Sequence, residues 1–388
     1  MVVFQQNSIL DKMKKYIESG NIHFLIGSGA SIKAISTLGN LENDLTMYIR
    51  DYQNSKQEEI KHRITELINN FLEGVKEPNQ NLIANLQNGD DVLKANVAAT
   101  LDEYMDFLKT IYQLLLIRGS DRLPKKINVF TTNYDLFFEF ALEKSKIPYN
   151  DGGIGVFHRY FGVKNFQKRT YKLSDSYSYQ YEEPVINIVK LHGSVNWFFE
   201  NDTDSIRILN KLSLPDISTE YLDEHAYFKQ DLNLPIILPT KQKFVRTLME
   251  HTYYDISRFY SNELEREQSV LFVFGFSFED EHFRSITQRA LGNPSLTMLI
   301  FPYSFGDEQK LLRYFYSFTN VKVVRIERDA IEQSEENDCT SREPRSSYNI
   351  MFAGNGMEEG KRINIDFEIF TNLFEYILNL VSESKVSL

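Results

Sequence analysis

Four short apolar segments, each running directly into small and polar residues, constrain the fold more than any other feature of the sequence. Short apolar runs that end in glycine-containing or polar turns are typical of buried strands. Because helical patterns alternate with these segments, the sequence predicts an α/β fold with a parallel sheet. Ligands of such sheets bind beyond the carboxyl ends of the strands, so the four clusters are candidate walls of one pocket. The segments are residues 22–26, 127–131, 185–191 and 269–274, followed by GSGAS, TNYD, HGS and GFS.

The N-terminal residues have helical spacing. Residues 8–19 are predicted as a helix with Ile9, Met13 and Tyr16 on one face. Gly20 stands where such a helix would stop.

A long helix-rich segment separates the first two clusters. From about residue 41 to 117 the sequence has few strand signals, and Pro78 and the Asn- and Gly-rich residues 84–90 interrupt its helical patterns. We therefore predict one domain over residues 1–330 with a helical insert at about 41–120. The further elements predicted in this domain are strands at 296–301 and 321–326 and a helix at about 307–317.

The remaining segments are less regular. Residues 171–182 are rich in Tyr and Ser and are predicted as a long loop or a small insert. In the C-terminal part, residues 331–388, a polar connection at 333–348 precedes a strongly apolar helix at 366–380. That helix is a candidate contact with another subunit, and packing in the chain's own core is the alternative.

Composition excludes several classes of protein. The chain of 388 residues has a net charge of −11, which argues against broad binding of nucleic acid by this chain alone, although a local basic patch stays open. Cys339 is the single cysteine, so neither an intramolecular disulfide nor a four-cysteine zinc site can form. No apolar run approaches the roughly 20 residues that span a bilayer, and the N-terminus lacks the order of a signal peptide. We expect a soluble, cytoplasmic protein without a membrane segment.

The order of the four clusters resembles the Rossmann-type NAD-binding domain of sirtuins. The sirtuin glycine-rich turn cradles the pyrophosphate through backbone N–H groups, and Thr-Gln-Asn-Ile-Asp, His-Gly and Gly-x-Ser segments follow it along the chain. The residues that match these motifs are Gly27, Ser28, Gly29, Ala30 and Ser31, then Thr131, Thr132, Asn133, Tyr134 and Asp135 with Thr132 in place of Gln, then His192 and Gly193, then Gly275 and Ser277.

The resemblance implies a role for each matched residue. Asn133 would hold the nicotinamide ribose and order the attacking water, and Asp135 would bind the nicotinamide carboxamide. His192 would be the general base, a task that suits an imidazole because its pKa lies near the working pH. Gly275 and Ser277 would contact the adenosine side of NAD.

The departures from sirtuins are also informative. Deacetylating sirtuins carry four cysteines that bind a structural zinc, and their turn is followed by Gly-Ile-Pro, where this chain has Ile-Ser-Thr-Leu at 35–38. Together with the large insert, these differences resemble the bacterial sirtuin-like proteins of anti-phage defence, which hydrolyse NAD. Among them, the chain resembles the subunit that assembles with a HerA-type ATPase. The resemblance therefore implies an NAD hydrolase (NADase) without structural zinc, with NAD as substrate, a homo-oligomeric state and a HerA-type ATPase as partner.

Each motif also has an ordinary structural interpretation. An Asn-Tyr-Asp sequence after a strand often forms a turn or a helix N-cap, and a histidine at a strand end is often part of the scaffold. Residues 279–282 (EDEH) have metal-binding side chains, but consecutive residues point in different directions on a helix and acidic residues are common in a first turn. Lys241 and Lys243 would approach a phosphate or a partner, or lie on a solvated face.

Two further functions compete with NAD hydrolysis. In the first, the chain is a non-catalytic sensor that binds NAD or ADP-ribose and controls a partner ATPase or nuclease. The second, protein deacetylation, is disfavoured by the missing zinc cysteines. We find no metal-carboxylate motif that would support a nuclease.

Overall fold

The computed structural model describes residues 3–5, 7–37, 39, 41–55, 57–88, 93–118, 123–174, 180–200, 205–218, 234–239, 251–328, 347–354 and 357–386. In this part of the chain the strands are β1 Val3–Phe4, β2 Asn21–Ile26, β3 Lys126–Thr131, β4 Tyr149–Asn150, β5 Gly153–Ile154, β6 Arg159–Phe161, β7 Tyr171–Leu173, β8 Gln180–Glu182, β9 Val185–Lys190, β10 Trp197–Phe199, β11 Ile206–Ile208, β12 Ser269–Phe274, β13 Thr297–Phe301, β14 Val321–Arg328 and β15 Ser347–Phe352. The helices are α1 Ser8–Ser19, α2 Leu41–Ser55, α3 Glu58–Asn88, α4 Ala95–Ile117, α5 Phe137–Lys144, α6 His251–Leu264, α7 Glu281–Ala290, α8 Phe305–Tyr314 and α9 Phe367–Val386.

The central sheet is mixed and mostly parallel, as the sequence predicts. Its strand order is β1-β15-β14-β13-β12-β2-β3-β9-β4. The pairs β12–β13, β13–β14, β4–β9 and β1–β15 are parallel, and β14–β15 is antiparallel. The predicted α/β fold class is therefore confirmed.

The chain divides into two compact units, which we describe separately. The first comprises Met1–Leu25, Asp106–Ile127 and Glu263–Leu388, and the second comprises Ile26–Met105 and Asn128–Asn262. The C-terminal helix belongs to the first unit. The predicted boundary at residue 330 stays a prediction.

Aromatic side chains build the core of the first unit. Phe24 of β2 stacks on Phe272 of β12 with 5.3 Å between ring centroids. From helix α9, Phe370 packs on Phe301 at 4.9 Å and Phe374 packs on Phe24 at 5.3 Å. Burying such a side chain stabilises a fold by about 2–3 kcal/mol, so the apolar face of α9 serves the chain's own core. Oligomer formation stays a prediction.

Helix α1 forms where the sequence predicts it, but its buried face differs from the predicted one. The buried residues are Leu10, Met13 and Ile17, whereas Ile9 and Tyr16 are partly exposed. Both sets satisfy helical spacing, so the apolar pattern leaves the rotation of the helix open by one residue.

The prediction that Pro78 interrupts the helical insert is wrong, because α3 runs through it. Proline lacks the N–H that would donate to the carbonyl four residues earlier. The neighbouring Asn79 side chain donates to the Val75 carbonyl at 2.7 Å and accepts from the Leu136 amide at 2.8 Å. Burial of Leu72 and Leu82 further anchors this helix.

Several short strands were not predicted, and some of them lie in segments that the sequence analysis interpreted otherwise. β7 and β8 pair antiparallel within residues 171–182, which were predicted as a long loop or a small insert, and of these residues 175–179 lie outside the described part. β15 begins at Ser347, inside the predicted polar connection, and pairs with β14. The rest of that connection, including Cys339, lies outside the described residues.

In the second unit the helical insert packs on the segment around residue 236. Leu45 and Ile49 of α2 and Ile64 and Ile68 of α3 form one apolar cluster with Ile236. Helix α4 contributes its first residues, up to Met105, to this unit. Among the described helices, none is long and apolar enough to cross a membrane.

Candidate functional site

The glycine-rich turn follows β2 and closes on itself. Ser28, Gly29 and Ala30 form a single turn of 3₁₀ helix. The amide of Ala30 donates to the Gly27 carbonyl at 3.2 Å, and the amide of Ser31 donates to the Ser28 carbonyl at 3.1 Å. Gly27 and Ser31 are buried, while Ser28 is exposed. The turn thus fixes the Ser31 side chain inside the second unit. Binding of pyrophosphate by the backbone of this turn stays a prediction.

Four side chains of the second unit meet directly after β2 and β3. The Ser31 hydroxyl lies 2.8 Å from Asp135 Oδ2 and 2.7 Å from the hydroxyl of Tyr104. The Asn133 side-chain nitrogen lies 3.3 Å from both hydroxyls and 3.1 Å from the carbonyl oxygen of Gly27. All four side chains are at least nine-tenths buried. The structure therefore brings together Ser31, Asn133 and Asp135 from two separate motifs, and we call these residues with Tyr104 the Asn133 cluster.

The orientation of the Asn133 amide follows from its partners. A backbone carbonyl can only accept, so the end that faces the Gly27 carbonyl must be the NH₂ group. The other end, Oδ1, is buried and has no hydrogen-bond partner within the described part of the chain. A buried acceptor without a partner is costly, about 1–3 kcal/mol, and such atoms occur where a ligand or an ordered water supplies the donor.

Asp135 is held by the protein through both carboxylate oxygens. Oδ2 accepts from Ser31, and Oδ1 accepts from the amide of Phe137 at 3.3 Å, at the start of α5. Burial raises the pKa of this carboxyl, and the nearby Lys190 ammonium group acts in the opposite direction. Lys190 also lies 3.3 Å from Glu139. Binding of a carboxamide by Asp135 stays a prediction.

His192 is buried at the end of β9, and the backbone around it is tightly fixed. Its carbonyl accepts from the Ile237 amide at 2.9 Å. The ring of Tyr134 lies 6.4 Å from the imidazole, centroid to centroid, and the Tyr134 hydroxyl donates to the Ile237 carbonyl at 2.6 Å. The imidazole therefore lies beside the residue that directly follows Asn133.

The backbone conformation at position 193 explains why a glycine follows His192. Its φ of +85° lies in the left-handed region, which only glycine enters readily. A Cβ atom there would lie 2.1 Å from the Pro235 carbonyl oxygen. Close backbone packing therefore requires glycine at position 193.

The remaining predicted residues are not members of the Asn133 cluster. Thr132 is partly exposed. Gly275 and Ser277 belong to the first unit, where Gly275 has a φ of +64° and the exposed Ser277 accepts from the Glu279 amide at 3.4 Å. Their contact with adenosine stays a prediction.

The acidic stretch 279–282 has a structural role in the described chain. Asp280 caps α7 by accepting from the amides of His282 and Phe283 at 3.0 and 3.2 Å. Among the described residues, no three His, Cys, Asp or Glu side chains are grouped in a way that could hold a metal ion. Lys241 and Lys243 lie outside the described residues.

Tyr104 is the member of the cluster that sequence reasoning missed. It lies in α4, on the same helical face as the buried Leu101 and Leu108, so its spacing predicts an ordinary core residue. Its ring does pack in the core, at 5.5 Å from Phe137 and 4.7 Å from Phe138. Burial raises the pKa of its hydroxyl well above the usual value, so that the proton is retained.

The sequence matches the model of the SIR2-like domain family over residues 127–324, just over half of the chain. The chain belongs to the SIR2-like domain family. SIR2-like domains use NAD and are commonly NAD-dependent enzymes, so this membership fits an NAD-related activity. The matched region contains Asn133, Asp135 and His192, whereas the glycine-rich turn and the insert precede it. A search among curated proteins finds no match to the chain.

Proposed function

We propose that this SIR2-like protein is an NAD glycohydrolase that cleaves NAD to nicotinamide and ADP-ribose. The observation that carries the proposal is the buried Asn133 Oδ1, an acceptor without a partner among the described residues, in a motif that the SIR2-like family model covers. An uncharged acceptor of this kind suits a ribose hydroxyl or a water molecule, both of which donate hydrogen bonds.

The reaction needs little from the protein beyond positioning and one base. The bond between ribose C1′ and the pyridinium nitrogen breaks, and its electron pair neutralises the positive charge of the nicotinamide. A water oxygen forms the new bond to C1′ and loses one proton. The transition state has oxocarbenium character. No acid is required for the leaving group, because the nicotinamide nitrogen is already cationic and departs neutral. In this proposal Asn133 orders the ribose and the water, and His192 accepts the proton.

We further propose that the activity depletes NAD during phage infection. This part rests on the resemblance to the sirtuin-like proteins of bacterial defence. An enzyme that destroys NAD must be restrained in healthy cells, so we expect an assembly or a trigger that controls it. The resemblance makes a homo-oligomer joined to a HerA-type ATPase the first candidate. The expected site of action is the cytoplasm.

Purified protein tests the activity directly. NAD consumption is measured for the chain alone and with its candidate ATPase, and the products are identified by mass spectrometry. Asn133→Ala and His192→Ala should each lower turnover at least about 100-fold, whereas the control His62→Ala, at an exposed histidine of α3, should not.

Other outcomes separate the competing functions. Tight binding of NAD or ADP-ribose without turnover, with and without the partner, would replace the hydrolase by the sensor. Nicotinamide release that depends on an acetylated peptide would instead indicate deacetylation. In infected cells, the Asn133→Ala protein should leave the NAD pool intact, and NAD loss in those cells would contradict the effector role.

A further inference from the structure

The hydroxyl of Tyr104 enters the Asn133 cluster from helix α4, in the insert. It lies 2.7 Å from the Ser31 hydroxyl and 3.3 Å from the Asn133 side-chain nitrogen. The tyrosine side chain is fully buried. Its packing on Phe137 and Phe138 fixes the ring, which leaves the hydroxyl little freedom to move away from these partners.

The direction of the hydrogen bonds in the cluster can be assigned from chemistry. The Ser31 hydroxyl donates to Asp135 Oδ2. The Ser31 oxygen then accepts from the Tyr104 hydroxyl, since the one proton of the serine is already used. The Tyr104 oxygen in turn accepts from the Asn133 nitrogen, which also donates to the Gly27 carbonyl. The chain of donors therefore runs from Asn133 through Tyr104 and Ser31 to Asp135.

This arrangement leaves the Asn133 amide a single orientation. The acceptors of the NH₂ group, which are the Gly27 carbonyl and the hydroxyls of Tyr104 and Ser31, all lie at the nitrogen end of the amide. If the amide rotated by 180°, its oxygen would face the acceptor-only Gly27 carbonyl. The Tyr104 hydroxyl thus helps to hold Oδ1 at the position where it lacks a partner among the described residues.

We propose that Tyr104 is a positioning residue that, together with Ser31, orients the Asn133 amide so that its oxygen accepts a hydrogen bond from the ribose or the attacking water. This inference rests on the proposed NAD hydrolysis and extends it to the helical insert. The insert would then contribute directly to the geometry of the site.

Tyr104→Phe is the variant that tests the role, because it removes the hydroxyl and keeps the packed ring. Mispositioning of a reacting group by a fraction of an ångström is costly. We expect kcat for NAD consumption to fall about tenfold, with KM changed no more than about twofold. The matched control is Tyr260→Phe, which removes the hydroxyl of another fully buried tyrosine of the second unit, packed on Phe130.

A double variant distinguishes positioning from a general loss of folded protein. If Tyr104 acts through Ser31, the effects of Tyr104→Phe and Ser31→Ala on kcat should overlap, and the combined loss should be smaller than the product of the two single losses. The positioning role would be overturned if the double variant lost kcat by the full product of the two single losses. It would also be overturned if Tyr104→Phe and Tyr260→Phe had equal kcat values. Neither result would contradict the proposed NAD hydrolysis.

The test remains informative if the wild-type protein binds NAD but does not consume it. The proposed hydrolase then falls, and the affinity for NAD measured by calorimetry becomes the readout. Tyr104→Phe should weaken binding about tenfold relative to Tyr260→Phe, and equal affinities would overturn the inference. Absence of both turnover and binding in the wild-type protein would overturn it as well.

Discussion

Two buried polar clusters, one in each unit, differ in how completely their atoms are paired. In the first unit, Glu308 accepts from Arg325 at 2.7 and 3.2 Å and from Arg362 at 3.0 Å. The other nitrogens of Arg362 donate to backbone carbonyls, including that of Pro302 at 2.8 Å. In the second unit, the Asn133 cluster leaves Oδ1 without a partner among the described residues. A cluster whose charged groups all pair with one another stabilises the fold. A cluster with an unpaired hydrogen-bond acceptor is suited to bind a ligand that supplies the donor.

The largest expected effect comes from breaking the satisfied cluster. Glu308→Ala leaves the buried guanidinium group of Arg362 without a carboxylate, and it leaves Arg325 with only Glu327, 3.4 Å away. The free energy of unfolding should fall by about 3–5 kcal/mol, as measured by urea denaturation. Glu281→Ala, at an exposed glutamate of α7, is the control and should cost less than about 1 kcal/mol. If the two variants lost the same free energy of unfolding, the buried Glu308 would contribute no more to stability than the exposed Glu281.

A buried histidine of the first unit gives the next largest effect, as a dependence on pH. Burial lowers the pKa of His23 to about 4. The unfolded chain binds this proton below its ordinary pKa of about 6.5 and the folded chain does not. Stability contributed by the neutral imidazole is therefore present above pH 6.5 and is lost as the pH falls towards 4. The loss should reach about 3 kcal/mol.

Urea denaturation at several pH values measures this effect. His23→Asn should flatten the change in the free energy of unfolding between pH 6.5 and pH 4. If His23→Asn kept the full wild-type pH dependence, the loss of stability at low pH would arise from other titratable groups.

Removal of the unpaired acceptor, Asn133 Oδ1, should have a small effect on the stability of the fold and a large effect on NAD turnover. Asn133→Ala loses the donated hydrogen bonds of Nδ2, but it also removes the cost of burying the unpartnered Oδ1. We expect the free energy of unfolding to fall by about 1 kcal/mol, alongside the large loss of turnover described above. A loss of stability as large as that of Glu308→Ala would remove the contrast between the two clusters.

The smallest expected effect concerns an exposed ion pair beside Tyr104. Lys33 lies 2.6 Å from Glu103, and half of the lysine side chain is exposed. Lys33→Ala should change the free energy of unfolding by less than about 1 kcal/mol, because water screens such pairs. Turnover should stay at the wild-type value, and a tenfold loss would indicate that this surface contributes to the site.

The strands that precede the four clusters were predictable, because each one is short, apolar and followed by a turn. β12 has the predicted bounds, and β9 differs by one residue. The buried face of α1 was not predictable, since two sets of residues fit the same period. Helix α3 continues through Pro78 with Leu72 and Leu82 buried on either side, and local sequence patterns do not encode this tertiary packing.

Prediction of the candidate site was limited in a different way. Motifs identify residues that follow strands, and Ser31, Asn133 and Asp135 do meet in the structure. Tyr104 precedes Asn133 by 29 residues and has the spacing of a core residue. Only the packing of α4 brings its hydroxyl to the other three side chains.

The close packing at Gly193 has a consequence for how this protein can vary. Its φ is +85°, and the Pro235 carbonyl oxygen occupies the space that a Cβ would need. A library that randomises codon 193 and selects for folded, active protein should return glycine almost alone. Codon 192 should be equally invariant only when selection demands catalysis. One pool would be selected for folding alone and a second pool for activity. Sequencing both would distinguish the residue that the fold requires from the residue that the reaction requires at these adjacent positions.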